Sequence, residues 1–109
     1  MTWLLREGDV LAAAEVAESF AQRSRGLLGK SSYEGAMILP RTRSVHTFGM
    51  RFAIDVAVCD KELTVLGVKT LRPYRMSLPR RGGRSIIEAQ AGAFERWGLR
   101  AGDHLELRG

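Results

Sequence analysis

Cysteine is almost missing from this chain: one thiol, Cys59, stands among 109 residues. That excludes an internal disulfide framework and any cysteine-rich zinc site. Histidine is as sparse, with only His46 and His104, far apart and without ligand-pair spacing, so the sequence points to no metal and no cofactor. No apolar run approaches the roughly 18 residues of a membrane-spanning helix. The opening Met1-Thr2-Trp3-Leu4-Leu5-Arg6-Glu7 reaches charge before any apolar stretch, which argues against a signal peptide and for a cytoplasmic location. Lysine is scarce too, three against 14 arginines. Arginine's planar fork suits carboxylate and phosphate, although a GC-rich genome gives the same bias.

Acids are the most informative absence. None lies between Glu62 and Glu88, a span holding Lys69, Arg72, Arg75, Arg80, Arg81 and Arg84. None lies between Glu34 and Asp55, where Arg41, Arg43 and Arg51 stand. Those spans carry nine of the 17 basic residues and leave the remainder at a net −4, although the whole chain is +5. The sequence describes a mildly acidic body with two basic stretches.

What is present is an ordinary globular composition, 45% hydrophobic and 27% charged, of a length that suits one domain over residues 1–109. Thr2–Leu5 reads as a strand, Glu7-Gly8-Asp9 as a turn, and Val10–Val16 as a second strand weakened by its alanines. Ser19-Phe20-Ala21-Gln22 is a capping-box pattern, predicting a helix to about Leu28 with Gly29 as its left-handed cap. Ala36–Leu39, Val45–Phe48 and Phe52–Cys59 read as strands, the last so continuously apolar that both its faces need cover. With Leu63–Leu71 it predicts a hairpin. Pro73 to Gly83 is irregular, as loops of about 12 residues that carry function are. Arg84–Ala89 reads as a strand, Ala91–Trp97 as a short helix capped by Gly98, and His104–Leu107 as the last strand. The sum is α+β: a mainly antiparallel curled sheet or small barrel of six to seven short strands with two short helices.

Several segments in this order resemble a known family. They are Arg25-Gly26-Leu27-Leu28-Gly29, Ala36-Met37-Ile38-Leu39 and Ser44-Val45-His46-Thr47-Phe48-Gly49-Met50-Arg51-Phe52. Ile54-Asp55-Val56-Ala57-Val58, Glu88-Ala89-Gln90-Ala91-Gly92 and Gly98-Leu99-Arg100-Ala101-Gly102-Asp103 continue the pattern. From about Leu11 to Leu107 the chain is similar to the domain of unknown function 192 family of small prokaryotic proteins. The resemblance implies a compact α+β fold with a sheet curled toward a barrel, and it implies no activity. Where that family usually carries proline before the Ile-Asp pair, this chain has Ala53.

The residues themselves offer three functions. His46, Arg51 and Asp55 lie within ten positions and could line a polar pocket, with Arg72, Arg75, Arg80, Arg81 and Arg84 on a flexible rim. That reading is a non-enzymatic binding module for a small anionic ligand or an acidic protein segment. Alternatively His46 is a general base oriented by Asp55 in a small hydrolase or lyase. Thirdly, the Arg72–Arg84 loop, with Tyr74 for stacking, serves nucleic acid. Each has a plainer rival: Asp55 as a satisfied structural acid, the loop as a solvated flap. Arg81-Gly82-Gly83-Arg84 matches no nucleotide fingerprint. Cys59, Met37, Met50 and Met76 read as core.

Overall fold

The computed structural model describes residues 1–19, 22 and 26–109. Glu7 and Gly8 both take positive φ, 52° and 86°, as the tight two-residue hairpin turn requires. They connect β1 (Thr2–Arg6) to β2 (Asp9–Val16) in antiparallel register from Arg6↔Asp9 to Thr2↔Ala14. Ala12, Ala13 and Ala14 hold the extended form despite poor strand propensity because each is paired with β1, and Ala14 with a second strand as well. Its second partner is β3 (Ala36–Pro40), the single parallel pairing among the named strands. The chain crosses between them through the predicted capping box. Gln22 N donates to Ser19 Oγ at 3.0 Å, and Ser19 N donates to Gln22 Oε1 at 3.1 Å. The body of the helix expected there falls on residues 20, 21 and 23–25, outside those described, while Gly26 to Gly29 form turns.

β4 (Ile54–Cys59) and β5 (Val65–Leu71) make the predicted hairpin, from Ile54↔Leu71 to Cys59↔Val65. β6 (Ser85–Gln90) inserts between β4 and β3, antiparallel to both. Next comes α1 (Ala93–Trp97), ended by Gly98 at φ 65°. β7 (Leu105–Arg108) returns to β1. The order is β5-β4-β6-β3-β2-β1-β7. Val45–Phe48, expected as a strand, contributes only the bridge His46↔Met76 outside the sheet. The sheet itself curls until its edges touch. Val65 N donates to Asp103 O at 2.8 Å and Leu105 N to Leu63 O at 3.0 Å. The result is a mostly β half-barrel.

Curling gives two cores. Inside lie Leu4, Ile38, Ala57, Cys59, Val65, Ile87 and Leu105, with Phe94 and Leu99 closing one end. Outside, across β3, β6 and β4, lie Met37, Leu39, Ile54, Val56, Val58 and Ile86. Leu27, Met50, Val45 and Phe52 cover this second layer. All six residues of β4 are buried, which is why its sequence lacks the polar alternation of a half-exposed strand. Each fully buried Ile or Leu contributes roughly 1.5–3 kcal/mol.

Candidate binding face

The irregular stretch from Arg72 to Arg84 is fixed in place rather than a free flap, and Thr47 fixes it. Thr47 is fully buried. Its hydroxyl donates to Arg72 O at 2.6 Å and accepts from Arg75 N at 2.8 Å. It thus stands inside the turn Arg72-Pro73-Tyr74-Arg75, where a direct backbone bond would otherwise close it. Thr47 N donates to Arg75 O at 2.8 Å and Tyr74 N to Thr47 O at 2.9 Å. Two residues on, Ser77 N donates to Val45 O at 2.8 Å, while Ser77 Oγ accepts from Val45 N at 2.8 Å. Replacing Thr47 with Val keeps the shape and leaves both turn groups unpaired. The expected loss is about 2–3 kcal/mol, read as a lower urea midpoint with unchanged slope, and Thr47→Ser should retain most of the stability.

Downstream, Arg80 acts as a clasp. Its Nη1 donates to Leu66 O at 2.8 Å, and its guanidinium lies where a side chain on Gly67 would stand. Gly83 completes the turn, its N donating to Arg80 O at 2.9 Å. A Cβ on Gly83 would come within 2.8 Å of Val58 Cγ1 and 2.9 Å of Arg80 O. Gly83→Ala is therefore expected to destabilise by about 1–3 kcal/mol through overpacking, checked by thermal melting.

Several large side chains are exposed around this ladder. His46 sits opposite Met76 across the bridge, Phe48, Tyr74 and Leu78 are exposed on the adjoining turns and loop, and Thr47 and Ser77 are buried. Leu78 is 81% and Tyr74 64% exposed, and Phe48 and Met76 are exposed as well. The rings of His46 and Phe48 stack with centroids 5.1 Å apart, and His46 Nδ1 accepts from Phe48 N at 3.2 Å. Tyr74 has φ 63°, a left-handed backbone that a bulky residue adopts only with strain of about 1–3 kcal/mol. Arg51, Arg72, Arg75, Arg81 and Arg84 are exposed on the same loops. Met76, read from sequence as core, belongs to this surface.

Asp55 does not. Its side chain points to the inner face, with Ala57 and Cys59, whereas residues 45–52 cover the outer one. Its Oδ1 accepts from Thr70 Oγ1 at 2.7 Å, and its Oδ2 accepts from Gly92 N at 3.0 Å and Phe94 N at 3.1 Å. Those bonds tie α1 to the sheet. The structure therefore separates His46 from Asp55, and the acid–base pair expected of a hydrolase or lyase is not assembled. Of the loop arginines, Arg80 is engaged as a clasp and Arg84 stands at the Pro40–Ser85 end of the sheet.

Elsewhere, burial pushes the Cys59 thiol up to about 12, which keeps it an unreactive core group. Among the described residues no cluster of three His, Cys, Asp or Glu could hold a metal, and no helix is long and apolar enough to cross a membrane. Glu88, which sequence reading left aside, is 3% exposed beneath Gly26 and Leu27. Burial raises its carboxyl to about 7, partly offset by a hydrogen bond from the Leu27 backbone. Its Oε1 has no partner among the described residues. Thr47, Phe48, Met76, Ser77 and Leu78 were also missed, although His-Xaa-Phe and Tyr-Xaa-Met-Xaa-Leu are period-two patterns inside acid-free spans.

The fold defines a class, the small mostly β half-barrel. A solved protein of unknown function from Novosphingobium aromaticivorans superposes with TM-score 0.79 at 20% identity, covering 96% of this chain and 82% of that one. A protein of Sinorhizobium meliloti whose name proposes a role as transcription regulator matches equally, with TM-score 0.79, 20% identity and 96% and 90% coverage. At that identity the likeness speaks for fold alone. The chain belongs to the DUF192 family, described as uncharacterized ACR, whose profile matches residues 3–107. The UPF0127 protein of Pyrococcus horikoshii is 37% identical over 105 residues, 92% of this chain and 88% of the relative.

Proposed function

We propose that the chain is a one-domain, non-enzymatic, cytoplasmic binding module, and that its ledge of residues 45–48 and 74–78 receives an acidic protein segment bearing apolar side chains. One observation carries this reading. Five large side chains, His46, Phe48, Tyr74, Met76 and Leu78, are exposed on the two segments joined by the His46–Met76 bridge, within spans that hold arginines and no acid. Aromatics, methionine and arginine are the residue types that dominate protein–protein hot spots. The strain at Tyr74 supports it, because strained backbone persists where function holds it. Met76 and Leu78 favour a protein segment over single-stranded nucleic acid, whose platforms are aromatic.

A fluorescein-labelled peptide of alternating aspartate and leucine tests the proposal by anisotropy, beside a labelled oligouridine. The peptide is expected to bind at about micromolar affinity, and Tyr74→Ser/Met76→Ser/Leu78→Ser to weaken it at least about tenfold without unfolding the chain. An unaffected triple variant, or oligouridine binding more tightly than the peptide, would overturn it. Tyr74→Gly separates stability from binding. It relieves the positive φ and is expected to raise the melting temperature by about 4 °C or more, for about 1 kcal/mol, while weakening the peptide.

A further inference from the structure

The half-barrel has two ends, and only one is closed by α1. The register Pro40↔Ser85 and Cys59↔Ser85 places the other end at Pro40, Cys59 and Ser85, far along β6 from Gln90. Here a cavity of about 520 Å³ opens between the strands, a volume within the range of small-molecule sites at barrel mouths. Its walls are apolar, formed by Val16, Ile38, Leu63 and Leu107, whose side chains continue the inner core. Around it stand Arg41, Arg43, Lys61 and Arg84, with Asp60 as the opposing acid. Asp60 Oδ1 is engaged by Glu62 N and Thr64 N, each at 2.9 Å. None of the four cations has an ion pair or side-chain hydrogen bond among the described residues.

A second observation points to a ligand. Ser85 lines this cavity and is 8% exposed, and its Oγ is buried and lacks any hydrogen-bond partner among the described residues. A buried hydroxyl without a partner is destabilising. Arg41, at the rim, has φ 53°, a strained backbone beside the same opening.

We propose that this mouth binds a small amphipathic carboxylate. The apolar body of the ligand lies against Val16, Ile38, Leu63 and Leu107. Its carboxylate meets the guanidinium groups of Arg84 and Arg43 and accepts a hydrogen bond from Ser85 Oγ. The site is separate from the ledge, so it stands whether or not an acidic segment binds there.

Octanoate, octanol and acetate, titrated into ¹⁵N-labelled full-length chain, test it. Octanoate is expected to shift the amides of Val16, Leu63, Ser85 and Leu107, with octanol and acetate each at least about tenfold weaker. Arg43→Ser/Arg84→Ser should reduce octanoate affinity about tenfold and leave octanol unchanged. Ser85→Ala should weaken octanoate several-fold while the unliganded protein melts at the same temperature or higher, a combination no merely structural hydroxyl gives. Equal affinity for octanol and octanoate would overturn the proposal. Shifts confined to the ledge, or no shifts, would do so as well.

Discussion

Asp55→Ala is expected to lower stability by about 3–5 kcal/mol, a large share of the roughly 5–15 kcal/mol of a small domain. The carboxylate is 4% exposed and accepts from Thr70 Oγ1, Gly92 N and Phe94 N. Hydrogen bonds to charged groups are each worth about 1.5–3 kcal/mol, and the buried Phe94 amide would be left without a partner. Thr70 is exposed and can turn to water, which keeps the total below the sum of three such bonds. Asp55→Asn should lie between, because an amide oxygen accepts while its nitrogen cannot. Urea unfolding reads the effect as a shifted midpoint with constant slope. Peptide binding to the ledge should be unchanged in the folded fraction. A loss of binding larger than the loss of folded protein would return Asp55 to the site.

The second large effect concerns Glu88 and pH. Its carboxyl is raised from an ordinary 4.5 to about 7 by burial. Between those values the folded chain keeps a proton that the unfolded chain releases, so stability falls as pH rises. The contribution is intact below the ordinary carboxyl range and is lost as pH passes through about 7, an effect of roughly 3 kcal/mol. Glu88→Gln should therefore match the wild type at about pH 4 and exceed it by about 2–3 kcal/mol at about pH 8. Gly26 bears on the same group, since a Cβ there would lie 2.8 Å from Glu88 Oε1 at a backbone φ of 50°. Urea midpoints across the pH range check it. A wild-type curve that rises between about pH 5 and about pH 8, with the variant parallel to it, would contradict the raised carboxyl.

Much of the architecture was legible where its cause is local. Glu7-Gly8 dictates a tight turn, Ser19 and Gln22 form their box, and Ile54–Cys59 is too apolar to have an open face. Gly98 closes α1 in the left-handed region as expected. The parallel pairing of β2 with β3 was not legible, because register between distant segments leaves no local trace. Val45–Phe48 alternates like a strand, but its partner among the described residues is a segment interrupted by Pro73 and Pro79, so one bridge forms. The basic character of the proposed ledge was visible in the missing acids, and its exposed apolar side chains were not. Met76 and Leu78 look like core until the inward anchors Thr47 and Ser77 fix which side of the ladder is solvent. Closeness in sequence misplaced Asp55, since a strand one pleat away from its neighbours turns its carboxylate to the opposite side of the sheet.

The proposed docking ledge for an acidic, apolar-bearing segment comprises residues 45–48 and 74–78. A ¹⁵N–¹H correlation spectrum of the whole chain, titrated with the aspartate–leucine peptide at physiological salt, tests it most directly. Saturable shifts are expected at His46, Phe48, Tyr74, Met76 and Leu78, and are expected to vanish in the Tyr74→Ser/Met76→Ser/Leu78→Ser variant. Saturable shifts elsewhere with those amides still, or no shifts at about millimolar peptide, would contradict it.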